Sequence, residues 1–213
     1  MQVAQKDIQL GGEHFVLTNQ RALYWPRYRS LVLSDLHVGK AAHFRKHGIA
    51  VPSSVMHKDL DRLKGLCEFF DAKEIVVAGD LLHASENSDV AYFSQWLQDL
   101  QGIETILVEG NHDRISKKRW VEIGIGEVLP ELTRGPVTVV HEFKADFTGF
   151  QINGHVHPGV VLQSKTGRLR LPCFLHNPGS LLLPAFSTFT GLDTTRTPKG
   201  DVYCFDEDSI FTI

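Results

Sequence analysis

Three short, almost unbroken apolar runs constrain this chain more than any other feature. They are Ser30-Leu31-Val32-Leu33, Glu74-Ile75-Val76-Val77-Ala78 and Thr105-Ile106-Leu107-Val108. Runs of this length without polar alternation suit strands buried on both faces. Between them lie two helix-length segments. Residues 53–70 open on Pro52-Ser53 and carry a stripe of Val55, Leu60, Leu63, Leu66 and Phe70, and a second segment covers residues 88–100. Strand, helix, strand, helix, strand in that order predicts a parallel sheet in an α/β layer. Short strands precede it at residues 8–10, 14–17 and 22–25, and a third helix is expected near residues 115–123. After that helix the character changes. Val137–Val140, Phe150–Asn153, Val160–Gln163, Leu169–Phe174, Leu181–Leu183 and Val202–Phe205 are β-type runs divided by Gly, Pro and Asn. The expectation is an α/β layer packed on a second β-sheet, with residues 1–213 forming one domain.

Charge and cysteine usage narrow the classes. A formal net charge of −3 and a pI near 6.4 leave no overall basic field. Binding of nucleic acid would have to rest on a local patch or on bound metal. Three widely spaced cysteines, Cys67, Cys173 and Cys204, with no CxxC pair, suit reduced thiols in a cytoplasmic protein better than a disulfide framework. The first residues lack the apolar core of a signal peptide, and no stretch approaches the ~18 apolar residues of a membrane span.

Each buried-type run ends in a polar cluster. Asp35-Leu36-His37 follows the first, Gly79-Asp80 the second and Gly110-Asn111-His112-Asp113 the third. In the second half, His141 follows residues 137–140, and Gly154-His155-Val156-His157 follows residues 150–153. Open α/β sheets place ligands at the carboxyl ends of their strands. In extended backbone, residues two apart share a side, so Asp35/His37 and His155/His157 could each present two ligands together. Carboxylate, amide oxygen and imidazole suit first-row divalent ions such as Mn²⁺, Fe or Zn²⁺, and the lack of cysteine ligands argues against structural zinc. Seven candidate ligands exceed one ion but suit two that share a carboxylate. Gly110 is expected to permit the bend that carries Asn111. Any one of these clusters alone reads as an ordinary turn; only the ordered set carries weight.

Other residues invite weaker readings. His43 and His47 have the helical i, i+4 spacing of a metal pair but lack the glutamate of HExxH. Their segment reads as a cationic turn, solvated or substrate-facing, whose Arg45 could meet a phosphate, as could Arg114. His83 reads equally as support for the site or as a substrate contact. Lys117-Lys118-Arg119-Trp120 is either a phosphate-and-stacking patch or an exposed helix face. Asn177-Pro178-Gly179-Ser180 is a turn. Leu183–Gly191 is structural, with Phe186 and Phe189 packing and Gly191 permitting a tight bend.

The five clusters, in this order across residues 35–157, resemble the motif set of the calcineurin-like metallophosphoesterases. Further stretches are similar to the PdeM group of bacterial ligase-associated DNA-damage-response endonucleases. They are Ala22-Leu23-Tyr24-Trp25-Pro26, Asp35-Leu36-His37-x-Gly39-Lys40, Arg45-x-x-Gly48-x-x-x-Pro52, Gly110–Arg114, Leu171-Pro172-Cys173-Phe174 and Leu183-Pro184-Ala185-Phe186-x-x-Phe189-Thr190-Gly191. Ser187 departs from that pattern, which has glycine there. The resemblance implies two mixed β-sheets flanked by helices, with a dinuclear metal site at the strand ends. It implies one ion on Asp35, His37 and His157, another on Asn111, His141 and His155, and Asp80 bridging them. It gives His112 the role of stabilising the transition state or protonating the leaving oxygen, with Asp113 orienting its ring. A hydroxide between the ions is the expected nucleophile, and Mn²⁺ the expected metal. Two dications, two aspartates and a hydroxide sum to about +1, which suits a singly charged phosphodiester.

The resulting expectation is an endonuclease acting on DNA, single-stranded or damaged, in repair. The resemblance implies partnership with an ATP-dependent DNA ligase, a helicase and an exonuclease. Two alternatives compete. One is a phosphodiesterase of small or cyclic nucleotides. The other is a non-catalytic scaffold, which would be expected to lose ligands or the residue at His112.

Overall fold

A computed structural model describes residues 2–52, 54–83, 86–164, 167–195 and 200–213. The chain opens with strands β1 (Gln5–Leu10), β2 (Glu13–Thr18), β3 (Leu23–Trp25) and β4 (Ser30–Leu33). Helices α1 (Lys40–Lys46) and α2 (Ser54–Phe70) precede β5 (Glu74–Ala78), α3 (Ser88–Asp99), β6 (Glu104–Val108), α4 (Lys117–Ile123) and β7 (Glu127–Leu129). The rest is β: β8 (Leu132–Arg134), β9 (Val137–Val139), β10 (Phe150–Asn153), β11 (Gly159–Ser164), β12 (Gly167–Asn177), β13 (Ser180–Leu182), β14 (Asp201–Phe205) and β15 (Ile210–Thr212). Strands β1 to β7 lie in sequence order in one sheet, antiparallel from β1 to β4 and parallel from β4 to β7. The second sheet runs β15-β14-β12-β13-β10-β9-β8, with β11 paired to β12. Both sheets are mixed, since β10 runs parallel to β9 and β13.

The lack of alternation in the central strands follows from this layering. Leu31, Leu33, Ile75, Val77 and Leu107 face the helices, packing with Leu60, Leu63, Leu66, Phe93 and Trp120. Their neighbours Val32, Val76, Ala78, Ile106 and Val108 face the second sheet, packing with Val137, Val139, Ile152, Phe174 and Leu181. Period-two side chains thus enter two different cores, and both positions must be apolar. The α2 stripe of Met56, Leu60, Leu63, Leu66 and Cys67 is the helical counterpart. Ser53, the expected start of this helix, lies outside the described residues. At α3 the Asn87 side chain caps the helix, accepting from the N–H groups of Asp89 and Val90.

Several elements differ from the sequence reading. The segment around His43 is a seven-residue helix rather than a turn. Strands β7, β8 and β15, each of three residues, were not expected because each offers at most two apolar residues beside charged or polar ones. Gly191 has neither a positive φ nor a close neighbour, so no tight bend there requires glycine. Ser187 is accommodated without strain. Its N–H donates to Asp35 O and its hydroxyl accepts from Phe189 N–H.

A buried ion pair joins the sheets at the amino ends of β4 and β5. Arg134 on β8 donates to both Glu74 carboxylate oxygens, at 2.7 and 2.6 Å, and Ser30 Oγ also bonds Glu74. The side chains are 19% and 11% exposed. Removing one partner strands the other charge. Arg134→Ala is expected to cost about 3 kcal/mol, lowering Tm by roughly 6–12 °C in a chain of this size. Adding Glu74→Gln should restore much of the loss. Thermal denaturation of both variants checks this.

Candidate metal centre

The polar clusters sit at the carboxyl ends of β4, β5, β6, β9 and β10. Asp35 follows β4, Asp80 follows β5, Asn111 follows β6, His141 follows β9 and His155 follows β10. The Asp35/His37 and His155/His157 pairs are not on extended backbone, as the spacing suggested. Asp35, His37, Asp80, His155 and His157 all have left-handed φ, at 56°, 50°, 52°, 72° and 55°. Such conformations are costly for residues with a Cβ and persist where surrounding structure over-determines them. Here it does. Asp35 N–H donates to Gly79 O at 3.0 Å, His37 N–H to Asp80 O at 3.0 Å, and His155 N–H to Asp35 Oδ2 at 3.1 Å.

The neighbouring glycines are required by close approach. A Cβ on Gly79 would strike the His141 ring. One on Gly110 would strike Asp80, and one on Gly154 would strike Ser34 and Asp35. Gly110 has no positive φ, so it is needed for lack of space beside Asp80 rather than for the bend expected of it.

The side chains converge in two groups. The ligating atoms of Asp35, His37 and His157 lie within 4.8 Å of one another, and so do those of Asp80, His141 and His155. In the first group, His157 Nε2 approaches Asp35 Oδ1 to 3.1 Å without hydrogen-bond geometry. These two atoms and His37 Nδ1 are buried yet have no hydrogen-bond partner among the described residues. In the second group, His141 Nδ1 bonds Ala78 O at 2.9 Å, which leaves Nε2 facing inward. That Nε2 lies 2.9 Å from Asn111 Oδ1, 3.2 Å from His155 Nδ1 and 3.4 Å from Asp80 Oδ1. Lone-pair atoms converging with so few donors between them fit divalent cations.

The electrostatics agree. Burial opposes ionisation of Asp35, but the His157 ring beside it, together with Ser34 and His141, outweighs burial and holds the carboxyl below its usual range. Burial likewise opposes ionisation of Asp80, yet His141 and the His112 N–H bring it down to about 2. Burial keeps His37 neutral, with a pKa of about 4, against the pull of Asp35. For His141 the balance is reversed. Burial favours the neutral ring, but Asp80 and the Ala78 carbonyl push its pKa up to about 9. A proton on His141 thus occupies ground that suits a metal cation.

His112 is half-exposed beside the second group. Its N–H donates to Asp80 Oδ1 at 3.0 Å and its Nε2 lies 3.9 Å from Asp80 Oδ2. The expected hold of Asp113 on the His112 ring is not formed. Asp113 is 2% exposed, and its two oxygens accept from Leu82 N–H at 3.0 Å and Gly110 N–H at 2.9 Å. It braces the turn that carries Asn111 and His112. The His83 ring lies 5.6 Å from that of His112 and 6.0 Å from that of His37, beside the centre but outside both groups. Arg45 is committed elsewhere, contrary to expectation. It donates to Asp89 Oδ1 at 3.1 Å and to Val51 O, tying α1 to α3. Arg114 is exposed and forms no ion pair among the described residues. Trp120 is 1% exposed within the core, so residues 117–120 form no stacking patch. The His43 and His47 rings lie 4.4 Å apart at a tilt at the end of α1, and neither belongs to either group, although the His43 ring is 5.3 Å from that of His83.

One residue escaped the sequence reading. Glu142 Oε1 lies 3.7 Å from His155 Nε2, the nitrogen turned away from the group. That is ion-pair rather than hydrogen-bond distance, and it biases which His155 nitrogen points inward. Its signal was adjacency to His141, which is too weak to use without the fold.

The profile of the calcineurin-like phosphoesterases matches residues 28–183. The structure of Pseudomonas putida nuclease MPE is similar over 98% of this chain and 100% of that one, with 30% identity and a TM-score of 0.84. Two more distant structures have TM-scores of 0.42. Aquifex aeolicus AQ665, a protein of unknown function, is 14% identical over 65% of this chain and 81% of that one. Yfce, a phosphoesterase from E. coli, is 13% identical over 84% of this chain and 88% of that one. No curated protein matches. None of the described helices is long and apolar enough to cross a membrane.

Proton release tests the His141 assignment. Its raised pKa, about 9 against an ordinary 6.5, stabilises the metal-free fold fully below pH ~6.5, and that contribution is lost as pH rises through 9. At pH 7.5 the ring is therefore protonated, while ligation requires it neutral. Titrating metal-free protein with Mn²⁺ in weak buffer should release one proton from His141 in addition to any from ionisation of bound water. His141→Ala, where it still takes up metal, should release about one proton fewer than wild type.

Proposed function

This chain belongs to the calcineurin-like phosphoesterase family and is a metal-dependent phosphoesterase, and we propose that it is a DNA endonuclease. The observation that carries the reading is the meeting of two ligand groups at the strand ends, with the exposed His112 ring beside Asp80. We assign one divalent ion to Asp35, His37 and His157 and a second to Asn111, His141 and His155, with Asp80 between them. The donor set suits Mn²⁺, with Fe or Zn²⁺ as alternatives. When bound, two such ions supply Lewis-acid neutralisation of the phosphate and lower the pKa of water.

The protein's own residues do the rest. Asp35 and Asp80, ionised by their surroundings, set the charge of the centre so that a singly charged phosphodiester is drawn to it. His112, with Nε2 exposed above Asp80, faces the leaving side and protonates the departing deoxyribose oxygen. Asp113 acts through the backbone, fixing the amides of Leu82 and Gly110 so that Asn111 and His112 keep their places. His83 and Arg114 line the approach and contact substrate phosphates.

Likeness to a structure described as a nuclease supports a nucleic-acid substrate. Single-stranded or damaged DNA, a role in repair, and association with an ATP-dependent ligase, a helicase and an exonuclease complete the proposal. So does action in the cytoplasm, supported by three free cysteines, and a single domain spanning the chain, supported by the core shared between the sheets.

Removal of His112 tests the mechanism. His112→Ala should retain both metals by elemental analysis and lose about 10²–10⁴-fold in kcat on single-stranded DNA. The loss should be smaller on bis-p-nitrophenyl phosphate, because p-nitrophenolate leaves without a proton. Unchanged turnover of DNA would remove His112 from the reaction. If the metal-loaded wild type hydrolyses cyclic nucleotides and leaves DNA intact, the small-phosphodiester reading replaces this one.

A further inference from the structure

Beside the second ligand group lies an open cavity of about 280 Å³. Asn111 and His141 form one wall, and Glu109, Glu142 and Phe143 form the others. Phe143 is 53% exposed. Other exposed aromatics have ring partners. Phe69 packs on Phe70 at 4.8 Å, and Tyr92 stacks on His57 at 4.2 Å. Phe143 has none among the described residues.

This exposure is not the looseness of a surface loop. The segment 141–144 is held at both ends by β10 and the residue after it. His141 O accepts from Gly154 N–H at 3.1 Å. Gln151, 2% exposed, accepts from Lys144 N–H at 2.9 Å and donates to Lys144 O at 2.8 Å. A buried amide thus clamps the residue next to Phe143 at both its backbone groups, while about half of Phe143 stays open to solvent. An exposed aromatic ring held in place beside a phosphate site offers a face on which a nucleic-acid base can stack.

The charge around the ring selects the ligand. Lys144, the cation of this wall, is paired with Glu131. Glu109 and Glu142 line the cavity as carboxylates, Glu142 also lying 3.7 Å from His155, and they repel a phosphate. What fits is a neutral planar group attached to a phosphate at the adjoining centre. Its face would stack on Phe143 and its N–H donors would meet the carboxylates. We propose that Phe143 is the stacking platform for the nucleobase flanking the scissile phosphate, with Glu109 and Glu142 accepting from its amino edge. This deepens the endonuclease reading and rests on it.

Two measurements test the platform. In the first, cleavage of a single-stranded oligonucleotide is compared with cleavage of an all-abasic deoxyribose-phosphate strand. Phe143→Ala should lower kcat/KM on the base-bearing strand by about 5- to 150-fold, the range that 1–3 kcal/mol of base–aromatic stacking corresponds to. It should have no effect on the abasic strand, and Phe143→Trp should restore the loss. In the second, fluorescence anisotropy follows a labelled oligonucleotide binding to Mn²⁺-loaded His112→Ala protein, which is silenced for cleavage. The added Phe143→Ala change should weaken binding by a similar factor. Equal penalties on both strands, or unchanged cleavage together with unchanged binding, would overturn the platform while leaving the endonuclease reading intact. If wild type cuts neither strand, the endonuclease reading fails. Anisotropy then decides whether Phe143 seats a base at all: unchanged binding ends the platform, and weakened binding keeps it only as a nucleobase-binding site beside the centre.

Discussion

Two carboxylates, Asp35 and Asp80, are almost fully buried at the ends of adjacent parallel strands, and the surrounding structure is arranged to make that tolerable. An unpaired buried charge is among the costliest features a fold can hold. Here the compensation is imidazole rings and backbone amides, with His155 N–H on Asp35 and His112 N–H on Asp80. Imidazole nitrogens gathered around carboxylates form, by the same chemistry, a receptor for cations. Charge compensation and metal recognition are therefore one arrangement seen from two sides.

Bringing so many ligands together demands unusual backbone. Five of the seven candidate ligands sit in left-handed conformations without being glycine, each at a cost of about 1–3 kcal/mol. Strand ends make this bearable because the preceding residues are locked in a sheet buried on both faces. Of the three motif glycines, Gly79 shares the left-handed conformation, which glycine adopts without strain. All three also contribute absence of volume, letting His141 lie on Gly79 and Asp80 lie on Gly110. At the far ends of β4 and β5 the Glu74–Arg134 pair ties the sheets. The two central strands therefore carry polar anchors at both ends and an apolar middle.

Much of this was legible in the chain. The central strands could be read because they face two cores and so lose the alternation of a one-sided strand. Helix α2 showed its stripe, and the five polar clusters showed their order. Elements such as β7 and β8 were not legible because each offers at most two apolar residues, and the cationic composition of α1 read as a turn. Side-chain commitments were also hidden. Arg45 looks free in sequence, yet Asp89, 44 residues away, holds it. Asp113 adjoins His112 in sequence but points into the protein, toward the Leu82 amide 31 residues away.

The amino-acid sequence by itself determined which residue types would stand at the strand ends and that their chemistry was that of metal ligands. Local hydrophobic pattern sets strand ends, and the residues that follow them are simply read off. The tertiary structure alone decided how those residues are grouped and which nitrogen of His141 turns inward. It alone placed Glu142 behind His155 and left Phe143 exposed on a clamped loop beside the centre. Those outcomes depend on contacts between segments far apart in the chain, and such contacts exist only once both sheets have packed.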